Sequence, residues 1–146
     1  DFSVIAYAKL AVDHSVASTI MATEVNASWP AVGWAFLAEV YDNSGKIGFY
    51  AGGNIQSNIA TPIIDNAYAL TRTGTTFKIY SGSNTQIITA TIKWGLPSTG
   101  FLIGHMGTDA WGWTSYAKGY IYACALYHTL LTDVQVAAIT AAMAAL

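Results

Sequence analysis

The sequence predicts an all-β domain: two antiparallel sheets packed face to face, closed by one short C-terminal helix. Three observations carry this. Apolar and polar residues alternate in short runs up to about residue 128, the period expected of half-buried strands. Clusters of Gly, Asn, Ser and Asp separate the runs, as turn chemistry requires. Helical character is confined to the C-terminal segment. Many short strands with a single terminal helix bury their apolar faces best as a two-sheet sandwich.

In the first run, Phe2, Val4, Ala6, Ala8 and Leu10 share one face and Ser3, Tyr7 and Lys9 the other, with Ile5 breaking the polar side. "WAFLAEVYDNSGKIGFYAGG" reads as a hairpin through Asp42-Asn43-Ser44-Gly45, since Gly and Asn tolerate positive φ. "TFKIYSGSNTQIITATIKW" reads as a second hairpin turning at Ser81-Gly82-Ser83-Asn84. Ile88, Ala90, Ile92 and Trp94 line one of its faces, and Thr89, Thr91 and Lys93 face solvent. At the C-terminus Thr132 and Gln135 have capping-box spacing, Asp133 suits the positive end of the helix dipole, and Val136, Ile139, Met143 and Leu146 recur as an apolar stripe. That helix should cover a sheet face or edge.

The 146 residues suit one domain spanning 1–146. Only 10% are charged and 53% are hydrophobic, so Thr, Ser, Asn, Gly and Tyr must cover much of the surface. Six basic against eight acidic residues give no footprint for a nucleic acid, and too little net charge to keep concentrated copies apart. A protein packed among neighbours is expected. Cys124 is the only cysteine, which excludes an intrachain disulfide. The apolar tail Val134 to Leu146 is too short for a bilayer, so no membrane insertion is expected. The chain opens on Asp1, already in a strand pattern, which points to processing or to a boundary within a longer polypeptide.

From Gly119 onward, "GYIYACALYHTLLTDVQV" resembles the closing signature of the laminin G-like, concanavalin A-like superfamily. Gly119, Ile121, Leu126, Tyr127, Leu131, Thr132, Asp133 and Val136 fall at its matching positions. "GFLIGHMG" looks like the strand that precedes this signature, "GTTFKIYSGSNTQIITATI" like the family's strand, turn and strand, and "DFSVIAYAKL" like its early strand. "DNAYALTRTG" stands where the family carries a tryptophan. The resemblance covers nearly the whole chain and implies a concanavalin A-like jelly-roll sandwich. It names no ligand, because this fold carries lectins, adhesion modules, enzymes and virion parts.

Catalytic chemistry has little to stand on. The superfamily's glycoside-hydrolysing branch sets carboxylates on one strand as Glu-x-Asp-x-x-Glu, with acid and nucleophile about 5 Å apart for retention. This chain has only Glu24 and Glu39, in no such pattern. His14, His105 and His128 are scattered, without a zinc-hydrolase motif or a nucleophile elbow. His128 reads as a solvent-edge or backbone-capping group, and Cys124 as a small buried hydrophobe. No catalytic residue is expected. Oxygen donors for calcium are sparse: Asp42 with Asn43, Asp65 with Asn66, and Asp109 form no dense Asp-x-Asp loop and also serve as turn formers. No cofactor is expected beyond that weak calcium candidacy of Asp42, Asn43 and Asp109.

"GHMGTDAWGWTSYAKG" is the candidate binding surface. Trp111 and Trp113 project to one side of an extended segment, and Tyr116 follows. Three readings stay open there: packing over the domain's own rim, a protein–protein contact, and stacking on sugar rings. Trp29 and Trp34 read as core or rim packing. The expected function is a non-catalytic structural or adhesion module of an extracellular or virion assembly, phage-like in kind, acting by surface packing with other protein subunits, most readily as an oligomer. The alternative is a carbohydrate-binding lectin domain with a glycan on the Trp111, Trp113 and Tyr116 surface.

Overall fold

The computed structural model describes residues 1–10, 18–23, 34–37, 45–50, 54–62, 64–91, 101–108 and 114–146. They form twelve strands and one helix: β1 (Phe2–Leu10), β2 (Thr19–Thr23), β3 (Ala35–Leu37), β4 (Lys46–Tyr50), β5 (Asn54–Ala60), β6 (Asn66–Thr73), β7 (Thr76–Ser81), β8 (Asn84–Thr89), β9 (Phe101–Ile103), β10 (His105–Thr108), β11 (Thr114–Tyr116), β12 (Gly119–Tyr127) and α1 (Asp133–Ala144). One five-stranded sheet runs β12-β1-β6-β7-β8 and the other β5-β4-β3-β2-β9; β10 and β11 pair separately. Every strand pair is antiparallel. The all-β, two-sheet expectation is met.

The core lies between the sheets. Phe2, Val4, Ala6, Ala8 and Leu10 of β1 meet Ile20, Met21, Trp34, Phe36, Ile47 and Phe49 of the opposite sheet, with Tyr68, Leu70, Phe77 and Ile79 beside them. Trp34 is a core residue, as its sequence suggests. It stacks on Phe2 and Phe49 at 5.5 and 5.7 Å between ring centroids, and Phe49 continues to Phe77 at 5.3 Å. Offset ring pairs of this kind add to the burial of their apolar area. Arg72 closes the row, its guanidinium 5.9 Å from the Phe2 ring and 5.8 Å from Phe77, which a cation over a π face rewards.

Ile5 is explained by a second cluster on the outer face of the first sheet. There Ile5, Ala69, Tyr80, Leu131 and Val136 are buried together, with Tyr127, Ile139 and Met143 against them. The helix covers this face, so β1 is buried on both sides and its alternation blurs. The capping box forms as its spacing predicts: the Gln135 N–H donates to the Thr132 hydroxyl and the Thr132 N–H to the Gln135 side chain. The stripe expectation needs a correction at its end. Val136 is buried and Ile139 and Met143 pack partly, but Leu146 lies past the last helical residue and is 93% exposed.

Both hairpins predicted from sequence pair as expected. Ala35, Phe36 and Leu37 oppose Tyr50, Phe49 and Gly48, and the turn ends at Gly45 with φ 64°, while 38–44 lie outside the described residues. Ser81 pairs with Asn84 across Gly82-Ser83, and Gly82 takes φ 58°, the left-handed value such a tight turn needs. Ile88 and Ala90 pack on the core; Ile92 and Trp94 fall outside the described residues. "DNAYALTRTG" is more than a missing tryptophan: it forms β6, the central strand of the first sheet, with Tyr68 and Leu70 in the core and Ala69 under the helix. "GFLIGHMG" splits at Gly104 into β9 and β10, which belong to different sheets. No described helix is long and apolar enough to cross a membrane.

Candidate functional site

Most residues singled out from sequence as ligand-binding fall where the structure makes no statement: Trp111, Trp113, Asp109, Asp42 and Asn43 lie outside the described residues. Tyr116 ends β11 opposite His105 and is 59% exposed. Asp65 and Asn66 are engaged by the protein itself. The Tyr122 hydroxyl donates to Asp65 at 3.0 Å, and the Asn66 amide donates to Ser81 at 2.8 Å. Among the described residues no three His, Cys, Asp or Glu side chains gather as a metal site.

His128 is exposed just past β12. Cys124 packs partly against the core, and burial pushes its thiol pKa up, away from the thiolate a nucleophile needs.

The described residues instead assemble an aromatic surface on the outer face of the first sheet, beyond the helix. It depends on a bulge between β1 and β12. Tyr7 pairs with Ala123 and Ala8 with Ile121, so Tyr122 is the extra residue and has no partner across the strand. Bulges re-aim side chains in this way. The Tyr122 ring comes to rest 5.6 Å from Tyr7, tilted by 40°. Tyr120, opposite Lys9 in the same pairing, lies 6.4 Å from Tyr122 with the two ring planes within 12° of parallel. Tyr120 is 68% exposed and Tyr122 49%.

Gly119 makes this placement possible. Its φ is 129°, and a Cβ there would stand 2.1 Å from the Lys9 carbonyl oxygen, so only glycine lets β12 start against the end of β1. Asp65, just before β6, anchors the far end of Tyr122. Partial desolvation first and the Asp65 carboxylate second raise the Tyr122 pKa, keeping the phenol a neutral donor. Together these residues present two flat rings of nearly common orientation, a carboxylate that accepts hydroxyl protons, and the exposed ammonium of Lys9. Such a surface can stack an apolar ring face and hydrogen-bond its polar rim.

The protein shares its fold with the carbohydrate-binding module CBM40 of Ruminococcus gnavus IT-sialidase. The match has a TM-score of 0.70 at 13% identity and covers 95% of this chain and 82% of that one. Two further structures of the module match similarly. The α2,3-sialyllactose complex has a TM-score of 0.69 at 15% identity, covering 95% of this chain and 81% of that one. The α2,6-sialyllactose complex has 0.67 at 13%, covering 95% and 82%. The chain is a jelly-roll β-sandwich. No protein-family model and no curated protein matches the sequence.

At such identity the CBM40 likeness speaks for the fold alone. The jelly roll implied by the laminin G-like resemblance is therefore met at the level of architecture, and these neighbours are binding modules, not catalytic domains. Sequence reasoning misses the tyrosine surface, although Tyr120 and Tyr122 stand two apart on a strand and so share a side. The contribution of Tyr7 is not readable until β1 and β12 are known to pair.

Proposed function

We propose that the protein is a non-catalytic carbohydrate-binding domain that holds a glycan on the Tyr7, Tyr120 and Tyr122 surface. The observation that carries this is the exposed, near-parallel pair Tyr120 and Tyr122, with Asp65 hydrogen-bonded to one of them. The fold shared with sialyllactose-bound CBM40 modules supports it and makes sialylated oligosaccharides the first probe. Lys9, paired in register with Tyr120, supplies a cation for an acidic sugar. In this reading residues 1–146 act as one domain of concanavalin A-like, laminin G-like type, working outside the cell or on a virion surface. Trp111, Trp113 and Tyr116, the surface expected from sequence, are the alternative place for the same ligands.

The test is a glycan array followed by calorimetry on the best binder. Tyr120→Ala and Tyr122→Ala should each weaken binding at least tenfold, about 1.4 kcal/mol, with the far-ultraviolet spectrum unchanged. Binding that survives both substitutions but disappears in Trp111→Ala or Trp113→Ala moves the site to the other surface. No glycan bound anywhere removes the function.

A structural or adhesion role in an oligomeric assembly is the second reading. It is favoured by large apolar side chains left in water, Ile64, Val134 and Leu146 at 64%, 78% and 93% exposure, in a chain of low charge. Protection of these residues from solvent labelling in the native assembly would support it, and full labelling there would count against it.

A further inference from the structure

We propose that the groove over β6, β7 and β8 at the start of α1 binds a single neutral pyranose through Thr73, Thr76 and the Lys78–Asp133 pair. This inference stands on the groove's own chemistry and not on the tyrosine surface.

The groove has a volume of about 310 Å³, at the small end of ligand pockets and suited to one sugar ring. Its floor comes from outward-facing strand positions. Thr73 pairs with Thr76, and Lys78 lies between Thr71 and Ile87 in register across the three strands. Its wall is the segment from Leu130 to Asp133 that leads into the helix. Two aliphatic side chains flank the polar floor and remain open to water, Ile87 at 63% and Leu130 at 43% exposure. Hydroxyls between exposed aliphatic groups match a pyranose, whose C–H face is apolar and whose rim is hydroxylated.

The charge balance selects against ions. Lys78 donates to Asp133 Oδ2, and the Tyr80 hydroxyl donates to Asp133 Oδ1 at 2.9 Å. Beside Lys78 an anion also meets the Asp133 carboxylate, and beside Asp133 a cation also meets the Lys78 ammonium, so either ion is repelled by one member of the pair. A neutral polyol is repelled by neither. An ammonium has three donors and a carboxylate about four acceptor positions, so the joined pair retains capacity both to donate to one sugar hydroxyl and to accept from its neighbour. The Lys78–Asp133 pair thus serves as a dual donor and acceptor for adjacent hydroxyls.

Amide-resolved NMR of the full chain, titrated with methyl glucoside, galactoside and mannoside and with glucuronate as the charged counterpart, tests this. Expected are saturable shifts at Thr73, Thr76, Lys78 and Asp133 with at least one neutral glycoside, with a Kd on the order of 1 mM. Binding at the groove should weaken at least tenfold in Thr76→Val and in Ile87→Ser. Unsaturable or absent shifts at the groove, or tighter binding of glucuronate than of any neutral glycoside, overturn the proposal. Shifts confined to Tyr120 and Tyr122 overturn it while leaving the tyrosine surface standing; groove shifts with no glycan response at those tyrosines do the reverse.

Discussion

The backbone N–H of Leu131 donates to the hydroxyl of Ser3 at 2.9 Å, across 128 residues of chain. The same hydroxyl donates to the Thr129 carbonyl at 2.8 Å. One buried side chain near the N-terminus therefore satisfies two backbone groups of the segment that delivers the helix to the sheet. Ser3→Ala leaves both unpaired and should cost about 1–3 kcal/mol in urea unfolding. A loss within experimental error would mean that water replaces the hydroxyl and that this bridge does not hold the helix.

Asp133 and Lys78 shift in opposite directions, and the signs set a pH window. Its hydrogen bonds to Lys78 and then to Tyr80 hold the Asp133 carboxyl below the usual carboxylate range, so its contribution is present above that range and is lost as acid protonates the folded state. The hydrogen bond to Asp133 raises Lys78, so its contribution is present below the ordinary lysine range and is lost as alkali deprotonates the folded state. The stability difference between the wild type and Asp133→Asn should be flat near neutrality. It should shrink below about pH 4 and above about pH 10. Both groups face water, so high salt should also reduce it. A difference that ignores pH and salt would show that the pair is not coupled in solution.

Gly119→Ala is expected to be the more damaging of two glycine substitutions. At Gly74, with φ 55° and no atom within 4 Å of where a methyl group would stand, alanine meets only left-handed strain of about 1–2 kcal/mol. At Gly119 the methyl group runs into the Lys9 backbone, and overpacking adds about 1–3 kcal/mol more. Thermal unfolding measures both. Glycan binding should fall only in Gly119→Ala, because Tyr120 is its neighbour. Equal losses of stability would place the start of β12 elsewhere.

Tyr68 is fully buried in the core and its hydroxyl donates to the Pro62 carbonyl at 3.3 Å. Burial, only partly offset by a hydrogen bond with Asn66, pushes its pKa up to about 12. A raised phenol pKa means that stability is intact below about pH 10, the ordinary tyrosine value, and falls as pH climbs toward the folded value. Late tyrosinate absorbance should accompany unfolding, and its amplitude should fall by one tyrosine in Tyr68→Phe. An undiminished amplitude in that variant would assign it to other tyrosines.

Legibility follows how many faces each element buries. β1 is readable because Phe2, Val4, Ala6, Ala8 and Leu10 keep one face, even though Ile5 on the other is covered by α1. β6 is not singled out as a strand from the sequence: Ala69 is buried beneath the helix while Arg72 points to the core side against Phe2 and Phe77. A strand covered on both faces, with a cation at the rim of its inner one, loses the period-two signal. The capping box is legible since its partners are three residues apart, whereas the bond from Tyr80 to Asp133 spans 53 residues and leaves no trace in spacing.

From its sequence alone the chain determines the interactions of short reach: alternating strands, the Gly82 turn, the Thr132 and Gln135 cap, and enough apolar surface to require two packed sheets. Tertiary structure decided which outer face the helix covers, which aromatic rings gather, and which charges meet. Tyr7 and Tyr122 are neighbours through strand pairing and a bulge, Lys78 and Asp133 through the docking of the helix. Contacts made by parts of the chain far apart in sequence depend on register and packing, which no local pattern encodes.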